Sequence, residues 1–319
     1  LHSNAAITKE INETNDTLGA ILSTMQAGGD GANADQEKTI IALANNIIED
    51  VPAMYDIRQA EKDYPVDYNQ SMNTVLTQEL SRFNLLIKTI KSSLKDMKRA
   101  IVGEILMSQD LEDAMISMTD GQIPAMWLSK SFPSLKPLGS YIKDLKERLE
   151  FFNEWVAGGV PDCLWINKFF FTHGFLTGAM QNYARKYSIA IDTLTYDFNI
   201  VHDVPDDGKG VAPPEDGIHV VGMYLEGCKF DPKERALGES DPKILYTRCP
   251  MIHFIPTLKK DVKTTGIYAC PLFKTGDRRG VLMTTGHSTN YVLDISLPSN
   301  VEPSHWIKRG VAMLCALMT

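Results

Sequence analysis

The stretch IAIDTLTYDFNIV, residues 189–201, decides how this chain is read, because the period of its apolar residues changes there. Upstream, apolar side chains return every three or four residues, as on one face of a helix. From Ile189 they alternate with polar ones, and aromatic and β-branched residues dominate, as in a half-buried strand. The acidic, Pro- and Gly-rich segment HDVPDDGKGVAPPEDG, residues 202–217, follows and reads as a linker.

Working back from this point, the strongest helical signal runs from Asn69 to Val102, without Gly or Pro. Met72, Val75, Leu76, Leu80, Phe83, Ile87, Ile90, Leu94, Met97 and Ile101 recur there at a 3.6-residue period. Such a helix would be on the order of 50 Å long, with Gly103 as its stop. Earlier, QEKTIIALANNIIEDVP is helical up to Pro52. Later, SQDLEDAMISM carries acids in its first turn, where the helix dipole favours them. YIKDLKERLEFFNEWV is amphipathic and ends at Gly158 and Gly159. The apolar run CLWINKFFFTHGFLTGAM contains Lys168 and His173, falls short of the roughly 20 apolar residues of a membrane span, and reads as a buried helix. Its Gly174 and Gly178 suit close packing of soluble helices as well as membrane contacts.

Beyond residue 217 the pattern is β: HVVGMYLEG, KILYTRCPMIHFIP, GIYACPLF, GVLMTT and NYVLDISL. In the last, Tyr291, Leu293, Ile295 and Leu297 should face one way and Asp294 and Ser296 the other. Strands at this spacing suggest a small barrel or sandwich. The terminal HWIKRGVAMLCALM fits helix or strand.

The bulk properties suit a soluble globular protein of one or two domains: 319 residues, 44% hydrophobic and 23% charged. A net charge of -8 argues against nucleic acid as a general partner. Five cysteines (Cys163, Cys228, Cys249, Cys270, Cys315), none in a C-x-x-C pair, fit reduced thiols rather than a disulfide scaffold. Sequons at Asn12, Asn15 and Asn69 follow no signal peptide and are taken as chance. The sequence opens at Leu1 inside a helical pattern, as a piece of a longer protein would.

No motif carries catalysis, a cofactor or a metal. AGGDGANAD lacks the Gly-Lys-Ser/Thr element of a phosphate loop and follows a helix, so it is a surface loop. Ser92-x-x-Lys95 and Lys274-Thr275-Gly276 mimic a serine acyl-transfer pattern, but the third element, Ser288-x-Asn290, falls in the wrong order. His253 with Cys228, Cys249 and Cys270 lacks the paired spacing of a zinc site. TTGHSTN, residues 284–290 with His287, reads as a turn whose side chains bond the backbone. One surface feature remains. Lys88, Lys91, Lys95, Lys98 and Arg99 form a basic stripe on the long helix, either a solvated face or a docking face for an acidic neighbour.

Several stretches together resemble the C-terminal domain of dynein heavy chains, of axonemal type. They are GMYLEGCKFD, CPMIHFIP, YACPLFKTGDRRGVLMTTGHSTNYVLDISLPS and HWIKRGVAML, with WLSKSFPSLKPLGSYIKDL and FFFTHGFLTGAMQNYARKYSIAIDTLTYDF upstream. LHSNAAITKEINETN is similar to the point where such proteins leave their sixth AAA+ module. The resemblance implies an α+β fold, a helical N-terminal two thirds followed by a small antiparallel β-barrel. Its parts would be a helical region (residues 1–202), a linker (203–217) and the barrel (218–319), with HWIKRGVAML as strand. It also implies a non-catalytic regulatory and structural module of a ciliary or flagellar microtubule motor. That module would pack on the AAA+ ring of its own heavy chain, with the motor's microtubules and other dynein subunits as partners and no membrane. Nucleotide sites would lie upstream of Leu1. The alternative is a free-standing β-barrel that binds a ligand or peptide.

Overall fold

The computed structural model describes residues 30–205, 207–278, 281 and 288–317. Its helices before the strand region are α1 (Asp30–Asp50), α2 (Ile57–Asp63), α3 (Ser71–Ile101), α4 (Gln109–Thr119), α5 (Ala125–Leu128) and α6 (Leu138–Gly158). Then come β1 (Cys163–Trp165), α7 (Thr172–Lys186), β2 (Leu194–Ile200), β3 (Ile218–Val221), β4 (Tyr224–Glu226) and β5 (Cys228–Asp231). The rest are β6 (Ala236–Glu239), β7 (Tyr246–Arg248), β8 (Ile252–Leu258), β9 (Ile267–Phe273), β10 (Tyr291–Pro298), α8 (Pro303–Lys308) and β11 (Ala312–Leu314). These fall into two compact units, one holding the residues up to Tyr55 with Ser81–Leu149, the other Asp56–Leu80 with Glu150 onward. Helices α3 and α6 contribute residues to both.

The first unit is helical. Helix α3 forms where the unbroken apolar period demands it, and of that stripe Phe83, Ile87, Ile90, Leu94 and Met97 are fully buried. Gly103, at φ +78°, ends it in a left-handed conformation while Glu104 N–H returns to Arg99 O at 2.8 Å. Ser108 caps α4 by accepting from Leu111 N–H, with Asp110 and Glu112 in the first turn. Trp127 is wholly buried and donates its indole N–H to Ser93 Oγ at 2.8 Å. Arg148 is buried as well: it pairs with Asp144 at 2.9 Å and lays its guanidinium 3.7 Å from the Phe132 ring centre. Each fully buried aliphatic or aromatic side chain here stabilises the fold by about 1.5–3 kcal/mol.

The second unit is mixed. An aromatic cluster of Phe151, Phe152, Trp155, Phe169 and Phe175 is held by stacked and edge-on contacts, with Phe169 and Phe175 stacked at 4.3 Å. Glu79, buried on α3, fixes the start of this region by accepting from Phe170 N–H at 2.5 Å and Phe171 N–H at 2.9 Å. The glycines of α7 serve internal packing. A Cβ on Gly178 would lie 2.9 Å from Val75, and one on Gly174 would lie 2.8 Å from the Phe171 ring.

Four expectations fail here. The apolar run 163–180 is not one helix but strand β1, a single 3-10 turn and the start of α7. Among the described residues the strands do not close into a β-barrel. The strands form a four-stranded sheet in the order β1-β3-β8-β2, a five-stranded sheet in the order β10-β9-β11-β4-β7 and a two-stranded β5-β6 ribbon. A barrel needs its first and last strands hydrogen-bonded, and among the described residues no pairing joins β1 to β2 or β10 to β7. Nor are the sheets wholly antiparallel, since β1 runs parallel to β3 and β11 parallel to β9. The segment HWIKRGVAML divides between α8 and β11 rather than forming strand alone. In β10 a register shift between Tyr291 and Leu293 breaks the expected alternation, so Val292 is buried with Ile295 and Leu297. Of the expected strand GVLMTT only Val281 lies within the described residues, and His287 lies outside them.

Candidate functional site

Along the outer side of α3 in the first unit, Ser81, Leu85, Lys88, Ser92, Lys95 and Arg99 are exposed at alternating four- and three-residue steps. That spacing lines them along one helical face. Five cations were expected on this face, and the structure divides them. Lys98 Nζ reaches Asn45 Oδ1 at 2.5 Å, and Arg99 is engaged by Asp96 at 3.8 Å and Glu104 at 3.1 Å. Lys88, Lys91 and Lys95 have no hydrogen-bond or ion-pair partner among the described residues, and Leu85, one turn before Lys88, is 50% exposed. The three form a cationic face that no described residue of the first unit neutralises.

The second unit holds a cleft of about 430 Å³ between the start of α3, the turn before β1, the last turn of α7 and the segment before β3. That last segment is fastened at two points. Val204 and Val211 pack on Cys163, Val221 and Met251, and Asp216 is bound by Lys186 Nζ and Tyr187 Oη, each at 2.7 Å. Gly217, at φ +78°, turns the backbone into β3 where a Cβ would sit 2.1 Å from Phe254 O. His219 and His253 are cross-strand neighbours with ring centres 5.1 Å apart, and His253 Nε2 lies 2.7 Å from Asp216 O. His219 is 8% exposed and its Nδ1 has no partner. Burial, with the nearby His253, holds its pKa below the ordinary value.

Sequence reasoning missed Glu79, the Lys186–Asp216–Tyr187 cluster and this cleft. For Glu79 a signal existed: a carboxylate on the same helical stripe as Leu76, Leu80 and Phe83 must be buried and therefore bonded. For the others it did not, because their members come from elements distant in sequence.

The acyl-transfer mimic dissolves. Ser92 Oγ donates to Thr89 O, and Lys274 Nζ donates to Thr289 O. The five cysteines are buried and none is in a disulfide, and burial pushes Cys163 and Cys228 up to about 12, so those two thiols stay protonated. Among the described residues no group of three or more His, Cys, Asp or Glu could hold a metal, and no helix is long and apolar enough to cross a membrane. Of the TTGHSTN turn, Ser288 to Asn290 are described. Asn290 N–H donates to Ser288 Oγ at 3.0 Å and Tyr291 N–H to Ser288 O at 3.0 Å.

Residues 11–315 match the family described as the C-terminal domain of the dynein heavy chain. The protein is 47% identical over 317 residues to dynein axonemal heavy chain 3 of Mus musculus, covering 99% of itself and 8% of that relative. It is 44% identical over 320 residues to dynein axonemal heavy chain 12 of Rattus norvegicus, and 43% identical over 317 residues to dynein axonemal heavy chain 1 of the same species. In each case it spans a tenth or less of the relative's length. With long motifs matched from its first third to its last, the protein belongs to the C-terminal domain family of dynein heavy chains, and these relatives are of the axonemal type.

Proposed function

We propose that this protein is the non-catalytic C-terminal module of an axonemal dynein heavy chain, working in the cilium or flagellum. It acts by packing on the AAA+ ring of that heavy chain and biasing the ring between its conformations, thereby tuning movement along microtubules. The observation that carries this is the cationic face of α3. Among the described residues Lys88, Lys91 and Lys95 stand unpaired, with an exposed Leu85 one turn before the first of them, in a protein whose net charge is -8. Exposed charges contribute little to their own fold's stability. A row of like charges with an apolar residue at one end gains instead from an acidic, partly apolar neighbour, which steers association and fixes register. A contact about 1.4 kcal/mol stronger in one ring state than in another shifts their ratio tenfold. The free-standing alternative rested on a closed barrel, which the open sheets do not provide.

The test uses the intact heavy chain. Deleting residues from 204 onward would remove β3 and β8 and leave β1 and β2 without partners, so charge reversal is cleaner. In the variant Lys88→Glu/Lys91→Glu/Lys95→Glu, steady-state ATPase and microtubule binding should persist while velocity, force or run length changes. Motility identical to wild type in every parameter, or loss of ATPase in a folded variant, contradicts the proposal.

A further inference from the structure

The cleft of the second unit presents acceptors with nothing to accept from. Asp162 and Glu215 line its mouth, are exposed and have no side-chain partner among the described residues. His219, more than nine-tenths buried, lines the same cleft, and its Nδ1, closed off from solvent, has no partner. A neutral imidazole offers one nitrogen as acceptor, and an ionised carboxylate accepts only. Lys186, the cation of the lining, is already bound to Asp216. Between these polar groups the walls are apolar, with Pro161, Pro213 and Pro214 among them. A ligand matching all of this carries several donors and a positive charge on an apolar stem.

We propose that this cleft receives an arginine side chain presented by a neighbouring protein segment. The guanidinium donates to Asp162 and Glu215 and the aliphatic stem lies along the prolines. Arginine fits better than a metal, because no group of three or more His, Cys, Asp or Glu is arranged for one among the described residues. It fits better than lysine because a guanidinium has five donors in a planar fork and is more weakly hydrated. The volume lies within the roughly 300–1,000 Å³ of small-ligand clefts. This inference does not depend on the cationic face of α3, which belongs to the other unit.

The test titrates N-acetyl-arginine-N-methylamide into the 319-residue protein, isotope-labelled, and follows the amide signals of Gly217 and His219. Saturable shifts with a dissociation constant on the order of 1 mM are expected. The neutral citrulline analogue should give none, and Asp162→Asn/Glu215→Gln should weaken binding about tenfold or more. These two residues are exposed, so that variant keeps the fold. No saturable shift up to about 20 mM would mean a cleft that holds only water, and overturns the proposal. So does equal binding of the citrulline analogue. Agmatine binding as tightly as the backbone-bearing probe also overturns it, by pointing to a free amine rather than a presented side chain.

Discussion

The two units are held by different kinds of contact. In the first, the buried side is a helical stripe whose members lie three or four residues apart, from Phe83 to Met97 on α3. In the second, pairing joins segments far apart in sequence: Cys163–Trp165 lies beside β3, and Leu194–Ile200 beside β8. A local period is enough to specify the first kind of contact, whereas the second requires partners to be chosen among many strands of similar composition. Backbone geometry shows the same difference. Gly103 in the first unit and Gly217 in the second both sit at φ +78°, yet a Cβ meets nothing within 4 Å at Gly103 and lies 2.1 Å from Phe254 O at Gly217.

The largest effect should come from that pair. Gly217→Ala must open the approach of β3 to β8 and is expected to cost more than about 3 kcal/mol, whereas Gly103→Ala should cost about 1 kcal/mol. Denaturant unfolding of both variants measures the gap, and equal costs would mean the β3 entry is looser than described. Next is Glu79. Replacing it by Ala removes the carboxylate to which the Phe170 and Phe171 amides donate and should cost about 3 kcal/mol. A loss within 0.5 kcal/mol or so, the range of an ordinary surface change, would show that the carboxylate does not anchor that turn.

A third effect separates the units by pH. Among the described residues every histidine lies in the second unit. Burial depresses His173, with help from the charge of Lys274, and depresses His219 beside His253, from an ordinary value of 6.5. The folded state therefore binds fewer protons than the unfolded state once pH falls below 6.5. Stability is retained above that value and declines as pH drops through it towards the depressed folded values. Hydrogen exchange at pH 7.5 and 5.5 should show protection lost in the second unit and kept in the first. His219→Phe should reduce the loss. Uniform loss across both units would remove the distinction. The smallest effect is expected from the lysine face: Lys88→Glu/Lys91→Glu/Lys95→Glu should shift the isolated domain's stability by no more than about 0.5 kcal/mol.

How much was legible follows from the same contrast. The bounds of α3, its buried residues and its Gly103 stop are written in one unbroken period. The strand at Leu194–Ile200 and the β9 and β10 stretches were also readable, because alternation is local. Closure was not readable, because whether β10 meets β7 depends on partners rather than on either strand's own sequence. The run 163–180 misled because its continuous apolar character suits a strand or a helix equally, and the bonds from Phe170 and Phe171 to Glu79 that divide it come from elsewhere in the sequence. Of the candidate site, the basic stripe could be seen as a row of cations. That Lys98 and Arg99 are already engaged required Asn45 and Glu104 to be in place. The cleft left no signal, since its carboxylates and imidazole come from separate elements.

The central claim is that the cationic face of α3 is covered in the intact motor. Lysine acetylation footprinting tests it directly, comparing the isolated domain with the full heavy chain and using the exposed Lys62 as reference. The account predicts that Lys88, Lys91 and Lys95 react freely in the isolated domain and at least about fivefold more slowly in the full motor, the mark of a contact that excludes solvent from them. Equal reactivity of all three lysines in both proteins would contradict it.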